Sequence, residues 1–351
     1  MLSQGGTAAH ATTRSSLGEP PVGESLTCVG VESTAHTLGI GVVKHPPLEI
    51  LCDVRRVYKP ASGGIHPSES ARHHVEKAVE ALEEFLSKVN VKQIDLVAFS
   101  RGPGLGPCLR VGAALARMLS LKLGKPLVGV NHAAAHVETA KVLSGAVNPV
   151  VLYVSGGNTQ VLHASEGKYV VLGETEDIAV GNLIDVFARK AGLGFPGGPR
   201  VMELASKSSR LVRLPYSVKG MNVSFSGMLT MLEGLVGKEP VEDLCFSLQE
   251  TAFSMLVEVS ERAMAMLGVN ELVVAGGVGA NARLREMAGV MCRERNAVFR
   301  DYPLQYYADN GVMVAWEGIV QYRLGEILRV EESAVKPRWR ISDVKPAPAG
   351  L

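Results

Sequence analysis

From residue 26 onward, apolar residues come in short runs broken by Gly, Pro, Ser and Thr. The runs at 26–32 (LTCVGVE), 37–43 (TLGIGVV) and 48–58 (LEILCDVRRVY) are rich in β-branched residues, which predicts strands. A Gly/Pro-rich turn, KPASGGIHP, follows. Apolar positions then recur every three or four residues through 69–89 (ESARHHVEKAVEALEEFLSKV), which predicts a long helix. Next come a buried-type strand at 94–100 (IDLVAFS), a glycine turn, a helix at 109–123 and a further apolar run at 126–130 (PLVGV). A helix opening at Asn131 separates this first series from a second. Strands are predicted at 148–155, 158–165 and 168–174, helices from about Asp177 and Val241, then a strand at 271–277, a helix at 280–294 and a strand at 297–302.

Three strands followed by alternating helices and strands therefore occur twice, without residue identity between the copies. Such alternation favours mixed α/β sheets covered by helices. The duplication is the plan of the actin/hexokinase/heat-shock ATPase fold, two ribonuclease-H-like lobes with the nucleotide between them. On pattern alone a Rossmann-type two-domain enzyme competes with it. The expected lobes are 26–130 and 131–305, with a helix within 306–335 returning to the cleft. Residues 1–25 are small, polar and proline-containing, and are expected to form a disordered tail. Residues 336–351, rich in Pro, Arg and Lys, are expected to be irregular and to form a basic contact arm.

Composition narrows the class. With 351 residues, 46% of them hydrophobic and 20% charged, the chain suits a soluble globular protein with ample core. Basic and acidic residues number 36 and 35, so no global pull on nucleic acid is expected, and a nucleic-acid surface would have to be local. Five scattered cysteines without a CxxC suggest reduced thiols in an intracellular protein, and neither a disulfide frame nor a zinc–cysteine site. No apolar run is long enough to cross a bilayer and no secretory h-region precedes residue 26, so a cytoplasmic protein is expected.

The densest chemical signal is Asn131-His132-Ala133-Ala134-Ala135-His136. Histidines at i and i+4 lie on one helix face, where both imidazoles reach one metal ion; the alternative is a pair near the mouth of an ordinary helix. Ala133 stands where the HExxH of zinc proteases has its general base, which argues against that chemistry. Three glycine turns, at 100–107, 153–159 and 275–281, offer phosphate cradles, none with the Gly-Lys-Ser/Thr of a Walker loop. Asp177 is placed to cap a helix start. Asp185, among apolar residues, is placed to hydrogen-bond ribose hydroxyls, with Pro196-Gly197-Gly198-Pro199 as a rigid turn passing beneath a base.

Taken together, GVESTAHTLGIGVV, SGGIHP with ARHH, SRGPGLGPCLRVG, VNHAAAH, YVSGGNTQV, GETEDIAVGNLIDVFAR, FPGGP, GGVGANARLRE and ADNGVMVAW closely resemble one family over about residues 26–337. It is the tRNA threonylcarbamoyladenosine transferase family in its archaeal/eukaryotic branch, the catalytic subunit of the KEOPS complex. The resemblance implies transfer of a threonylcarbamoyl group from threonylcarbamoyl-AMP to N6 of the adenosine 3′ of the anticodon in tRNAs reading ANN codons. It implies one iron ion per subunit, with zinc as the alternative, held by His132, His136, Tyr153 and Asp309, which act in catalysis through that metal. Substrate contacts would come from Tyr153, Val154, Ser155, Gly156, Gly157, Asp185, Gly198, Met202 and Asn281, and ATP or ADP would occupy the same cleft. One departure concerns Met202, which stands three positions after PGGP where the family has an acidic residue. Either that contact is lost or Glu203 takes it by a shift of register. His36 and Glu32 are the candidate general bases. Expected partners are tRNA and the KEOPS subunits, among them a separate small protein kinase and a dimerising subunit, with no membrane.

Overall fold

The computed structural model describes residues 24–60 and 63–348, so the expected N-terminal tail lies almost wholly outside the described residues. The alternation at the start of the chain has two outcomes, one for each face of the sheet it builds. Val29 and Val31 of β1 (Leu26–Glu32) and Ile40 and Val42 of β2 (Thr37–His45) turn to one side and enter a buried cluster. On the other side the same strands present Gly30, Gly39 and Gly41. β3 (Glu49–Val57) completes the antiparallel part, and β4 (Leu96–Gly102) and β5 (Leu127–Asn131) add parallel strands, giving the order β3-β2-β1-β4-β5. Helices α1 (Pro67–Lys88) and α2 (Gly106–Leu123) cover the valine-rich face.

The second sheet repeats the plan. β6 (Val150–Val154), β7 (Thr159–Ser165) and β8 (Lys168–Glu174) are antiparallel. β11 (Glu271–Ala275) and β12 (Val298–Arg300) run parallel to β6, so the order is β8-β7-β6-β11-β12. Its large core is made by α4 (Val180–Lys190), α5 (Gly197–Ala205), α6 (Ser226–Leu235), α7 (Val241–Leu267) and α8 (Ala282–Glu294), with a small ribbon of β9 (Val218–Lys219) and β10 (Asn222–Val223). Two identically ordered mixed sheets, each opening on three antiparallel strands, exclude the Rossmann alternative.

Two further helices, α3 (His132–Ser144) and α9 (Gly311–Arg323), pack on each other, and their cluster draws residues from both sheets. Helix α9 lies on the glycine face of the first sheet. Gly30 and Gly41 are partners across the β1–β2 ladder, leaving a patch with no side chains. A Cβ on Gly30 would come within 2.5 Å of the Gly311 carbonyl oxygen and 2.8 Å of Ala315 Cα, so helix backbone rests directly on sheet backbone. Asn310 caps α9 by accepting from Met313 N at 2.8 Å, which fixes Asp309 at the helix entrance.

The structure departs from the sequence-based expectations in several places. Pro196–Pro199 is the start of α5 and not a free turn, because a proline in the first helical turn forfeits no intrahelical bond. Asp177 does cap a helix, but it is α6: its carboxylate accepts from Phe225 N at 2.8 Å and from Ser226 N at 2.9 Å, while α4 begins three residues later without a side-chain cap. The stretch from Lys336 is irregular but not a free arm. Ile341 and Val344 are buried in the central cluster, and Lys336 N donates to Arg101 O at 2.7 Å. All five cysteines are buried free thiols, each pushed above its usual pKa by that burial.

Candidate metal centre

Helix α3 starts immediately after β5 because Asn131 caps it, its Oδ1 accepting from Ala133 N at 2.9 Å and Ala134 N at 3.2 Å. The Asn131 amide also donates to the Trp339 and Arg340 carbonyls, both at 3.3 Å, tying the C-terminal stretch to this turn. His132 and His136 then sit one turn apart on one face, their ring centroids 4.8 Å apart. Asp309 meets them from the entrance of α9. Its Oδ1 lies 3.2 Å from His136 Nε2 and 3.6 Å from His132 Nε2, and one donor atom from each of the three residues falls within 4.8 Å of the others. The Tyr153 ring, on the last turn-ward residues of β6, is tilted against His136 at 5.7 Å, and its hydroxyl is buried without a hydrogen-bond partner.

Behind this group lies Glu32, completely buried at the end of β1. Its Oε2 is 3.0 Å from His132 Nδ1, and its Oε1 accepts from both the backbone N and the hydroxyl of Thr34 at 2.6 Å. Burial opposes a charge on His132, but Glu32 and Asp309 on either side prevail and raise its pKa to about 9. Burial pulls His136 below the usual imidazole range. For Asp309 burial also opposes ionisation, yet the adjacent His132 and His136 hold the carboxyl far below the ordinary range. The Tyr153 phenol is pushed up by burial. Nitrogen and oxygen donors of this kind suit iron or zinc, and the orphaned phenol oxygen is a buried polar atom that a metal would satisfy.

Around the centre the glycine turns differ in kind. At Gly156, Gly157, Gly198 and Gly277 an added Cβ would meet nothing within 4 Å, so bare backbone faces open space. Ser155 Oγ accepts from Asn158 N at 3.0 Å and shapes the first of these turns directly after the buried Val154. The turn at 100–107 is occupied by the chain itself: Gly104 N donates to Pro337 O at 3.2 Å, and a side chain on Gly104 would strike Thr34. Asp185 Oδ1 accepts from Gly197 N at 2.8 Å, and burial raises its pKa. Asn281 caps α8 through Arg283 N at 2.9 Å while its amide donates to Gln249 at 2.6 Å. Met202 Sδ lies 3.5 Å from Ala282 N, whereas Glu203 pairs with Arg200 and Lys207 on the exposed side of α5.

Of the candidate bases, His36 is half-buried, its ring edge-on to Phe195 at 6.3 Å. Both oxygens of Glu32 are engaged, which suits it to holding His132 and not to taking a proton from a substrate. Thr34 was not singled out by the sequence, and the pairing of Glu32 with His132 spans 100 residues, so no local pattern carries it.

Residues 49–316 match the family model TsaD, tRNA N6-adenosine threonylcarbamoyltransferase. A relative with that description from Thermofilum pendens is 49% identical over 324 residues, covering 91% of this chain and 96% of the relative. A probable bifunctional tRNA threonylcarbamoyladenosine biosynthesis protein from Thermoplasma volcanium is 51% identical over 319 residues, 90% of this chain, and this chain spans 60% of its length. Among solved structures, T. kodakarensis HypF aligns with a TM-score of 0.57 at 14% identity, over 85% of this chain and 48% of that one. Component A of the (R)-2-hydroxyglutaryl-CoA dehydratase of Acidaminococcus fermentans aligns with a TM-score of 0.53 at 15% identity, over 85% and 98%. At these identities the structural likeness concerns the fold alone, and it agrees with the two-lobed actin/hexokinase/heat-shock ATPase plan.

Proposed function

The chain belongs to the TsaD family of tRNA N6-adenosine threonylcarbamoyltransferases, and on that footing we propose that it transfers the threonylcarbamoyl group of threonylcarbamoyl-AMP to N6 of the adenosine 3′ of the anticodon in ANN-decoding tRNAs. It does so as the catalytic subunit of KEOPS in the cytoplasm, beside a small protein kinase and a dimerising subunit. The observation that carries this reading is the convergence of His132, His136 and Asp309, with the unpartnered Tyr153 hydroxyl, beside backbone left bare by Gly156, Gly157 and Gly198. Among the described residues no helix is long and apolar enough to cross a membrane. With a net charge of +1, partner subunits are expected to supply much of the basic surface for tRNA.

The adenine amine is a weak nucleophile because its lone pair is delocalised into the ring. In the reaction N6 attacks the carbamoyl carbon, the bond from that carbon to the phosphate oxygen breaks, AMP leaves with the bonding electron pair, and N6 releases one proton to solvent. His132, His136, Tyr153 and Asp309 are the residues that would hold one iron or zinc ion. Such an ion, when bound, supplies Lewis acidity toward a carbonyl or phosphate oxygen. The Ser155 N–H is taken by Asn158 O at 2.8 Å, so the exposed backbone N–H groups of Gly156 and Gly157 are the ones that would stabilise developing negative charge. Asp185, Gly198 and Asn281 line the nucleoside end and turn an encounter into a positioned reaction, with Met202 packed against the start of α8.

The test is transfer of labelled threonine from threonylcarbamoyl-AMP to an ANN-decoding tRNA by the protein with its KEOPS partners. Incorporation that disappears in His136→Ala is the expected result. No incorporation by metal-loaded wild type with partners present would mean a nucleotide-binding scaffold.

A further inference from the structure

We propose that Glu32 is a positioning residue that fixes the ring and tautomer of His132, so that Nδ1 carries the proton and Nε2 is presented to the metal centre. The inference rests on the metal reading given above and adds a residue to it. Three observations carry it. Glu32 is fully buried, and its Oε2 stands 3.0 Å from His132 Nδ1 on the side of the ring away from Asp309. Its other oxygen is held by Thr34, whose backbone N–H and hydroxyl both meet Oε1 at 2.6 Å, the hydroxyl oxygen also standing 3.3 Å from His132 Nδ1. The carboxylate therefore cannot turn away from His132 without abandoning a backbone donor in a buried place. A carboxylate accepting from the far nitrogen of a ligating histidine selects the tautomer and orients the ring.

The arrangement makes the isosteric amide informative. In Glu32→Gln only one terminal atom accepts. The obligatory Thr34 N–H draws the amide oxygen to the Oε1 position, which leaves the NH2 group where Oε2 was, against His132 Nδ1. Two donors facing each other repel, so the ring favours a lone pair at Nδ1 with its proton on Nε2, and the Thr34 hydroxyl oxygen at 3.3 Å is the one weaker acceptor left for an Nδ1–H. That proton occupies the lone pair needed for coordination. A residue important only for packing would tolerate this substitution best of all, since size and shape are unchanged. Glu32→Asp keeps charge and acceptors but withdraws them from the ring, so it moves the same quantities from the opposite chemical direction.

The experiment is zinc affinity by chelator competition on the full chain, with thermal unfolding as the check on folding, and ¹⁵N NMR of the zinc-loaded protein labelled at histidine. Glu32→Gln is expected to lose about 10–100-fold in zinc affinity, with loss of the His132 Nδ1–H signal present in wild type. If the glutamine variant fails to fold, Glu32→Asp serves in its place, with a loss in the same direction expected. Variants that bind zinc within about twofold of wild type and keep the Nδ1–H signal overturn the positioning role while the metal reading stands. Wild-type protein that binds neither zinc nor iron overturns the metal reading and this inference with it. Neither readout depends on the substrate, so failure of the transferase reading is seen separately.

Discussion

Replacing Gly30 by alanine adds one methyl group at the point where α9 touches the first sheet. The new Cβ would stand 2.5 Å from the Gly311 carbonyl oxygen and 2.8 Å from Ala315 Cα, with Ala315 N closer still. These are backbone atoms of a helix, so no side chain can rotate out of the way. Reaching ordinary contact, at about 3.5 Å or more, requires α9 to lift by about 1 Å. Overpacking of this kind costs about 1–3 kcal/mol, and the rigidity of both partners argues for the upper end. At about 2 °C per kcal/mol for a chain of this size, the melting temperature should fall by about 5 °C. Asp309 sits two residues before Gly311 and moves with the helix, and a displacement of about 1 Å at a reacting centre lowers rate by about 100-fold. Gly289→Ala is the matched control. Gly289 lies within α8 and its added Cβ meets nothing nearer than 3.5 Å, so the gain in helix propensity should leave stability equal or higher. Thermal unfolding, metal content per chain and threonine transfer are measured on both. A Gly30→Ala protein that melts with wild type and keeps its metal and activity would refute the claim that glycine contact seats α9.

His74 gives a pH signature. Burial lowers its pKa to about 4, so between pH 6.5 and 4 the unfolded chain takes up a proton that the folded one refuses, and stability falls as pH falls through that window. Urea unfolding should show a loss of up to about 3 kcal/mol across it that His74→Asn does not share; equal slopes for the two proteins would remove His74 as the cause. Asp177→Ala removes the cap of α6 and should cost about 1–2 kcal/mol by the same assay, with a value near zero refuting the cap. Asn131→Ala should cost a similar amount through α3, and hydrogen exchange should rise in residues 336–345, which its amide holds; unchanged exchange there would show that the tie is dispensable.

Strand and helix order was legible because each lobe writes its core in simple periods: alternation in β1 and β2, and a three-to-four repeat in α1. Helices α5 and α6 escaped because they are short and begin among Pro, Gly and Ser, residues that mark turns as readily as helix starts. The candidate metal cluster was half visible. His132 and His136 share a helix and announce themselves by spacing, whereas Asp309 and Tyr153 came only from resemblance to a family. Glu32 could not be assigned its place, since its partner lies 100 residues away and its environment is set by tertiary packing. The same reason misdirected Asp177, whose helix starts 49 residues downstream. Glycine was the most ambiguous letter: Gly104 accommodates the chain's own Thr34, while Gly156 and Gly157 leave room for something else.

The buried cysteines have a practical consequence. A thiol reacts as its thiolate, and Cys28, Cys52, Cys108, Cys245 and Cys292 are all enclosed with raised pKa values. Maleimide dyes should therefore pass over the natural protein, so no native cysteine need be removed before labelling. Cysteines introduced at Val79 on α1 and Met266 near the end of α7, exposed at 64% and 59%, would take a donor and an acceptor fluorophore on different lobes. Energy transfer between them would then follow, molecule by molecule, whether the lobes approach each other when a nucleotide enters.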